Sequence, residues 1–207
     1  MRKHFPHSPQ IHSREYPQYI LLELSGHDTE ASTSTTLEKL FAIAIERGIV
    51  LDIVVANSLA QSRSIWQVRE NISAAQAAEG QNIKHDISLP ASHIAGFISE
   101  TDALLRQAYP HCRTVTFGHL GDGNLHYNVS APTDTPDIVF ILEQAKINQL
   151  VHDSVHRHHG SISAEHGLGA QKKEEILRYK SPLEIQMMRS IKSALDPHQI
   201  MNPGKVL

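Results

Sequence analysis

The stretch Phe117-Gly118-His119-Leu120-Gly121-Asp122-Gly123-Asn124-Leu125-His126-Tyr127-Asn128 carries the reading that decides the fold. An Asp-Gly pair between alternating runs is a strong hairpin signal, because a two-residue type I′ turn needs positive φ at both central positions. With Asp122 and Gly123 at the turn, Gly121 opposes Asn124, Leu120 opposes Leu125 and His119 opposes His126. Directly opposed residues hold their Cβ atoms roughly 4.5–5.5 Å apart on one face of a sheet. Asn128, two residues beyond His126, shares that face. Two imidazoles so placed can chelate one divalent cation, and neutral imidazole suits zinc and its first-row neighbours. The alternative is a hydrogen-bonded, partly exposed histidine pair. A one-residue shift of register would put the rings on opposite faces.

Outward from the hairpin, short apolar runs at 19–26, 51–57 and 82–90 read as strands, the last ended by Pro90. Between the first two, Leu37, Leu40, Phe41, Ala44 and Ile45 recur at helical spacing, with Ser32 or Ser34 as N-cap and Gly48 as the stop. Ser58 can cap a helix running through 64–79 and stopping at Gly80, and 92–110 is a long amphipathic helix. Asp134 or Thr135, with Pro136, opens another helix to about residue 159, and two more follow at roughly 170–179 and 182–195. Hairpin and crossover connections are mixed in this order. That argues for an α+β fold, an antiparallel or mixed sheet covered by helices, with extra C-terminal helices. Residues 1–16, with His4, His7 and His12 and no sustained periodicity, read as a disordered leader to a domain spanning 17–207.

Composition narrows the function. The 207 residues, 40% hydrophobic and 20% charged, describe one soluble domain or at most two small ones. No apolar run approaches the ~18 residues of a membrane span, and a net charge of −3 gives no footprint for nucleic acid. Cys112 alone excludes a disulfide framework and a cysteine zinc ribbon, and the first residues lack the apolar core of a signal peptide. A reducing, cytoplasmic setting is expected. Fifteen histidines are the outlier. Four of them, His152, His156, His158 and His159, lie at helical spacing and read as a solvated face.

A second segment, Gly160-Ser161-Ile162-Ser163-Ala164-Glu165-His166-Gly167-Leu168-Gly169, packs an acid beside an imidazole between glycines that let backbone approach a ligand. Two histidines and a carboxylate with open positions make a recurring catalytic metal arrangement. Glu165 is then the third ligand, and His166 a base whose ordinary pKa lies near neutrality. The alternative for this pair is an unremarkable loop acid near a helix N-terminus.

Three motifs in order, GHLGDGNLHYN (118–128), SISAEHGLG (161–169) and LDPHQIMNPGKV (195–206), resemble the C-terminal half of FAD-linked oxidases of the vanillyl-alcohol-oxidase type. Among these are the D-lactate, D-2-hydroxyglutarate and glycolate dehydrogenases. The resemblance spans residues 19–207 and implies a cap-like substrate domain with a ferredoxin-like sheet. The FAD-binding domain, which precedes the cap in such proteins, is expected to lie outside this chain, as a domain or a separate subunit. The resemblance makes His119, His126 and Glu165 the ligands of a divalent cation such as zinc, and His166 the catalytic base. It matches Asn128 to a substrate contact, Arg69 and Lys84 to a carboxylate clamp, Ser73 to a hydroxyl position, and Asn202 to a segment returning towards the flavin.

The chemistry is coherent with that reading. A guanidinium offers a carboxylate a two-pronged fork and a lysine adds a point charge. In that reading a D-2-hydroxy acid could chelate a cation through its hydroxyl and one carboxylate oxygen, His166 would take the hydroxyl proton, and FAD would supply the acceptor for the Cα hydride. Two other readings use the same residues: a non-catalytic hydroxy-acid and metal-binding module or subunit, and a metal hydrolase with water held by His119, His126 and Glu165. For Arg69 the bland reading is a surface ion pair with Glu70 or Asp52. Apolar surface left uncovered in such a cap predicts a homo-oligomer.

Overall fold

A computed structural model describes residues 3–27 and 29–207. The chain divides into two compact units, Met1–Glu79 and Gly80–Leu207.

The described part of the first unit holds three helices, α1 Glu30–Glu46, α2 Leu59–Glu70 and α3 Ile72–Ala78. Thr29 Oγ1 accepts the Ser32 N–H at 3.3 Å and caps α1, so the helix starts earlier than Ser32 or Ser34 would place it. Ser58 caps α2 as expected, its Oγ accepting the Gln61 N–H at 3.2 Å. One helix was anticipated over 64–79, but Asn71 interrupts it between α2 and α3. The strands expected at 19–26 and 51–57 do not form. Both runs are apolar and strand-length, yet neither pairs with a neighbour, and an extended segment becomes a strand only through a ladder. Their Ile20, Leu22, Leu51 and Val55 stay exposed. Residues 12 and 16 are tied to Asp52, through His12 Nδ1 at 3.0 Å and the Tyr16 hydroxyl at 2.8 Å.

The second unit is built on an antiparallel sheet of β1 Asn82–Ser88, β2 Arg113–His119 and β3 Asn124–Ser130, in the order β1-β3-β2. A 3-10 turn at Ala91–His93 leads into α4 Ile94–Ala108, and α5 Asp137–Ile141 and α6 Gln144–Arg157 follow the sheet. Leu142 and Glu143 separate α5 from α6, where one continuous helix was anticipated. The tail adds α7 Lys173–Tyr179 and α8 Pro182–Leu195, close to the predicted limits. The architecture is α+β.

Strand alternation divides the sheet into two chemically different faces. Ile83, His85, Ile87, Leu125, Tyr127 and Val129 point one way and are buried. They join Phe97 and Leu105 of α4 and Ile147, Val151 and Val155 of α6 in a single core, each helix contributing the stripe that a 3.6-residue period aligns. His152 belongs to this inner side of α6 rather than to a solvated face. Its ring is buried, lies edge-on to His85 at 5.3 Å, and donates from Nδ1 to Glu175 Oε1 of α7 at 2.6 Å. His158 is likewise engaged, with Nε2 2.9 Å from Glu100 Oε2 of α4.

Candidate metal and substrate site

The opposite sheet face is polar. It carries Lys84 and Asp86 from β1, Phe117 and His119 from β2, and Asn124, His126 and Asn128 from β3. Opposed residues form rows across the sheet: Asp86, His126 and Phe117 in one, Lys84, Asn128 and Val115 in the next.

This register corrects the expected one. His119 opposes Asn124, and His126 opposes Phe117, so the two histidines do not face each other directly. The bend is longer than two residues: Asp122 N–H bonds His119 O and Gly123 N–H bonds Leu120 O, both at 3.2 Å, in successive turns. Gly123 serves a second partner as well, its carbonyl accepting the Leu89 N–H at 2.8 Å. A Cβ on Gly123 would run into the Leu89 carbonyl, and its φ of +70° is left-handed. The slip is two residues, an even number, so His119 keeps the face of His126 as a diagonal neighbour.

The glycine-bordered segment is laid over this face from β1. Ser88 and Ser161 exchange both backbone hydrogen bonds, at 3.0 and 2.8 Å. Gly160 permits that approach, since a Cβ there would strike the Ser88 carbonyl. Two residues back along β1, Asp86 Oδ2 accepts the N–H groups of Ala164, Glu165 and His166 at 3.2, 3.0 and 2.8 Å. Asp86, Glu165 and His166 thereby each offer a ligand atom within 4.8 Å of the others, the one such group among the described residues. Asn124 Nδ2 donates to Glu165 Oε1. The His126 ring lies 6.2 Å from that of His166 and 5.0 Å from Phe117.

The charge balance suits a cation. Burial would push the Asp86 carboxyl up, but the N–H groups of His166, Glu165 and Ala164 and the His166 ring outweigh it and hold it below its ordinary value. Asp86 is therefore a buried anion on the polar side of the sheet. Its Oδ1 and the Asn124 Oδ1 are buried acceptors without a hydrogen-bond partner. Carboxylate and amide oxygens beside imidazoles form a donor set that fits a first-row divalent ion.

Of the residues singled out in the sequence, Glu165 and His166 fall in this group, and the ring of His126 lies beside that of His166. His119 sits exposed at the end of β2, outside the tight group. Lys84 and Asn128 oppose each other in the adjacent row, Lys84 exposed and Asn128 buried. Arg69 and Ser73 belong to the first unit, Arg69 half-buried in the last turn of α2 and Ser73 exposed on α3. Asn202 is exposed in a turn closed by Lys205 N–H on its carbonyl at 3.2 Å. Val206 N–H then bonds Gly169 O at 2.7 Å, which brings that tail back to the segment carrying His166. Asp86 is the residue that sequence reasoning passed over. Its alternation with Lys84 marks the polar face, but its three partners lie 78 to 80 positions away and no local pattern announces them.

Among the described residues no helix is long and apolar enough to cross a membrane. Over residues 3–206 the chain matches the family described as FAD linked oxidases, C-terminal domain. It is 40% identical over 191 residues to a D-2-hydroxyglutarate dehydrogenase of Xanthomonas citri pv. viticola, covering 92% of this chain and 40% of that protein. A D-2-hydroxyglutarate dehydrogenase of Stutzerimonas stutzeri is 37% identical over 201 residues, with 96% and 42% covered. A mitochondrial D-2-hydroxyglutarate dehydrogenase of Arabidopsis thaliana is 39% identical over 189 residues, with 91% and 32% covered. The chain thus spans about a third to two-fifths of the length of these curated relatives.

Proposed function

Because the chain belongs to the family of FAD linked oxidase C-terminal domains, we propose that it is the substrate- and cation-binding part of a flavin-dependent D-2-hydroxy-acid dehydrogenase, with D-2-hydroxyglutarate as the acid. The observation that carries this reading is the junction of Asp86, Glu165 and His166 with His126 on the polar sheet face, one row from the Lys84–Asn128 pair. The names of the relatives favour 2-hydroxyglutarate over lactate and glycolate.

In this reading Glu165 and His126, with His119 as the diagonal neighbour of His126, would hold a divalent cation, zinc being the first choice for such donors. Lys84 supplies positive charge and Asn128 an amide to the substrate carboxylate. His166, exposed beside Glu165, accepts the hydroxyl proton. A bound cation supplies Lewis acidity to the substrate hydroxyl, and a bound flavin supplies the acceptor for the hydride. The return of the tail to Gly169 suits Asn202 to the flavin side of the site.

The test is titration of the 207-residue chain with zinc and then with D-2-hydroxyglutarate, D-lactate and glycolate, each followed by calorimetry. Expected are one cation per chain and acid binding that a chelator abolishes, with Glu165→Gln and His126→Ala weakening the cation by about tenfold or more. His166→Ala is expected to leave cation binding in place and, in the flavin-containing protein, to cut turnover by about 10²–10⁴. Hydroxy-acid binding that is indifferent to both chelator and Glu165→Gln would remove the proposal. Turnover of simple esters or phosphates by the zinc-loaded chain would move the assignment to a hydrolase.

A further inference from the structure

The Glu165–His166 pair lies on exposed backbone between glycines, a poor platform for geometry unless something fixes it. Beyond the Gly160 N–H bond to the Val155 carbonyl and the Asn124 bond to the Glu165 side chain, loop 160–167 has three anchors. The Ser88–Ser161 exchange ties its start to β1, and Lys172 Nζ donates to the Ile162 carbonyl. The third is the side chain of Asp86, whose Oδ2 collects three consecutive N–H groups, those of Ala164, Glu165 and His166. Three donors converging on one oxygen form a concave nest, and each bond to a charged acceptor is about twice as strong as a neutral one. Asp86 is buried in a strand paired on one side by β3, so it is the rigid partner and the loop the adaptable one. The carboxylate also stands 3.7 Å from His166 Nδ1, on the side of the ring nearest the backbone.

From this geometry we infer that Asp86 is a positioning residue, whose carboxylate sets the backbone of 164–166 so that the Glu165 and His166 side chains meet at one point above His126. The inference rests on the proposed role of Glu165 and His166 and adds the device that holds them. A ligand role for Asp86 would need Oδ2 released from its three N–H donors, or Oδ1 alone to serve.

Three variants of the full chain separate these roles: Asp86→Ala removes acceptor and charge, Asp86→Asn keeps one acceptor without charge, and Glu165→Gln removes the proposed ligand. Amide exchange at 164–166 should accelerate by at least about tenfold in Asp86→Ala and by less in Asp86→Asn, and stay unchanged in Glu165→Gln. Cobalt(II) is the second probe, read by its visible absorption band. Asp86→Ala should weaken its binding about 10- to 100-fold and alter the band, with partial rescue in Asp86→Asn. If Asp86→Ala does not fold, Asp86→Asn decides in the same sense. Unchanged exchange at 164–166 in a folded Asp86 variant overturns the inference. So does an Asp86→Asn that loses cobalt as completely as Glu165→Gln with the loop still protected, since Asp86 would then be a ligand. A wild-type chain that takes no cobalt removes the cation role of Glu165, while the exchange measurement still decides the role of Asp86.

Discussion

His85 and Asp86 are neighbours on β1 whose side chains leave on opposite faces, and the difference in environment sets their chemistry. Asp86 meets N–H groups and stays charged, whereas His85 is sunk in the core. Burial first, and then the neighbouring His152, push the His85 pKa down from 6.5 to about 3. Its Nδ1–H donates to the Tyr127 carbonyl at 2.8 Å, which fixes the neutral tautomer. The sign of the consequence follows from which state binds the proton. Below its ordinary value the unfolded chain protonates His85 and the folded chain does not, so stability is fully present above pH 6.5 and is lost as pH falls towards about 3. One proton corresponds to about 1.4 kcal/mol per pH unit across that window. His85→Gln, which keeps a donor but does not titrate, should flatten the pH dependence by about that slope between roughly pH 6 and 4. Native-state exchange of the β3 amides measures it in the unit concerned. Parallel slopes in wild type and variant would mean that His85 is not held neutral.

At the scale of elements, the hairpin loop shows what its glycines do. Gly123 has a φ of +70° and no room for a Cβ against Leu89, while a Cβ on Gly121 would meet nothing within 4 Å. Gly123→Ala is therefore expected to destabilise the second unit by more than about 2 kcal/mol, and Gly121→Ala by less than about 0.5. Urea unfolding of the two variants checks this, and equal losses would deny Gly123 its role. A milder change is expected at α8, where Ser181 Oγ accepts the Glu184 N–H at 3.2 Å and the Ser181 N–H bonds Glu184 Oε2 at 2.8 Å. Ser181→Ala should cost about 1 kcal/mol, read as faster exchange in the first turn of α8. These two sites also mark how far the sequence was legible. Caps are local, so Ser58 and the limits of α8 could be read directly. Alternation is local too, and around the Asp-Gly pair it found the hairpin strands and placed His126 and Asn128 on one face. The turn length was not legible, because Gly123 answers to Leu89, 34 positions earlier in the chain, as well as to its own bend. The apolar runs at 19–26 and 51–57 failed as strands for a related reason, since pairing is a property of two segments and the sequence shows one at a time. His152 looked solvated because histidine is polar, although its position beside Val151 and Val155 already put it on the inner stripe of α6. Asp86 lay beyond reach, its meaning residing in three amide groups of a distant loop.

Across the whole molecule, apolar surface is distributed unevenly between inside and outside. The second unit has a continuous core, yet α8 presents Leu183, Met187, Ile191 and Leu195 at four-residue intervals, 56 to 75% exposed. Ile200 and Met201 just beyond the helix are exposed as well. Only Ile185 of α8 is buried, so the helix offers more apolar surface outward than inward. Burial of such side chains is worth roughly 25 cal/mol per Å², and contiguous apolar patches of this kind mark contact surfaces. With this stripe exposed, we expect the 207-residue chain to self-associate at micromolar concentration. Light scattering across a dilution series is the measurement, and the double variant Met187→Glu, Ile191→Glu should shift the population to monomer without loss of zinc binding, because neither residue belongs to the candidate site. A wild-type chain that scatters as a monomer at every concentration would show that the α8 stripe is tolerated in water, and would leave Ile200 and Met201 without an assigned contact.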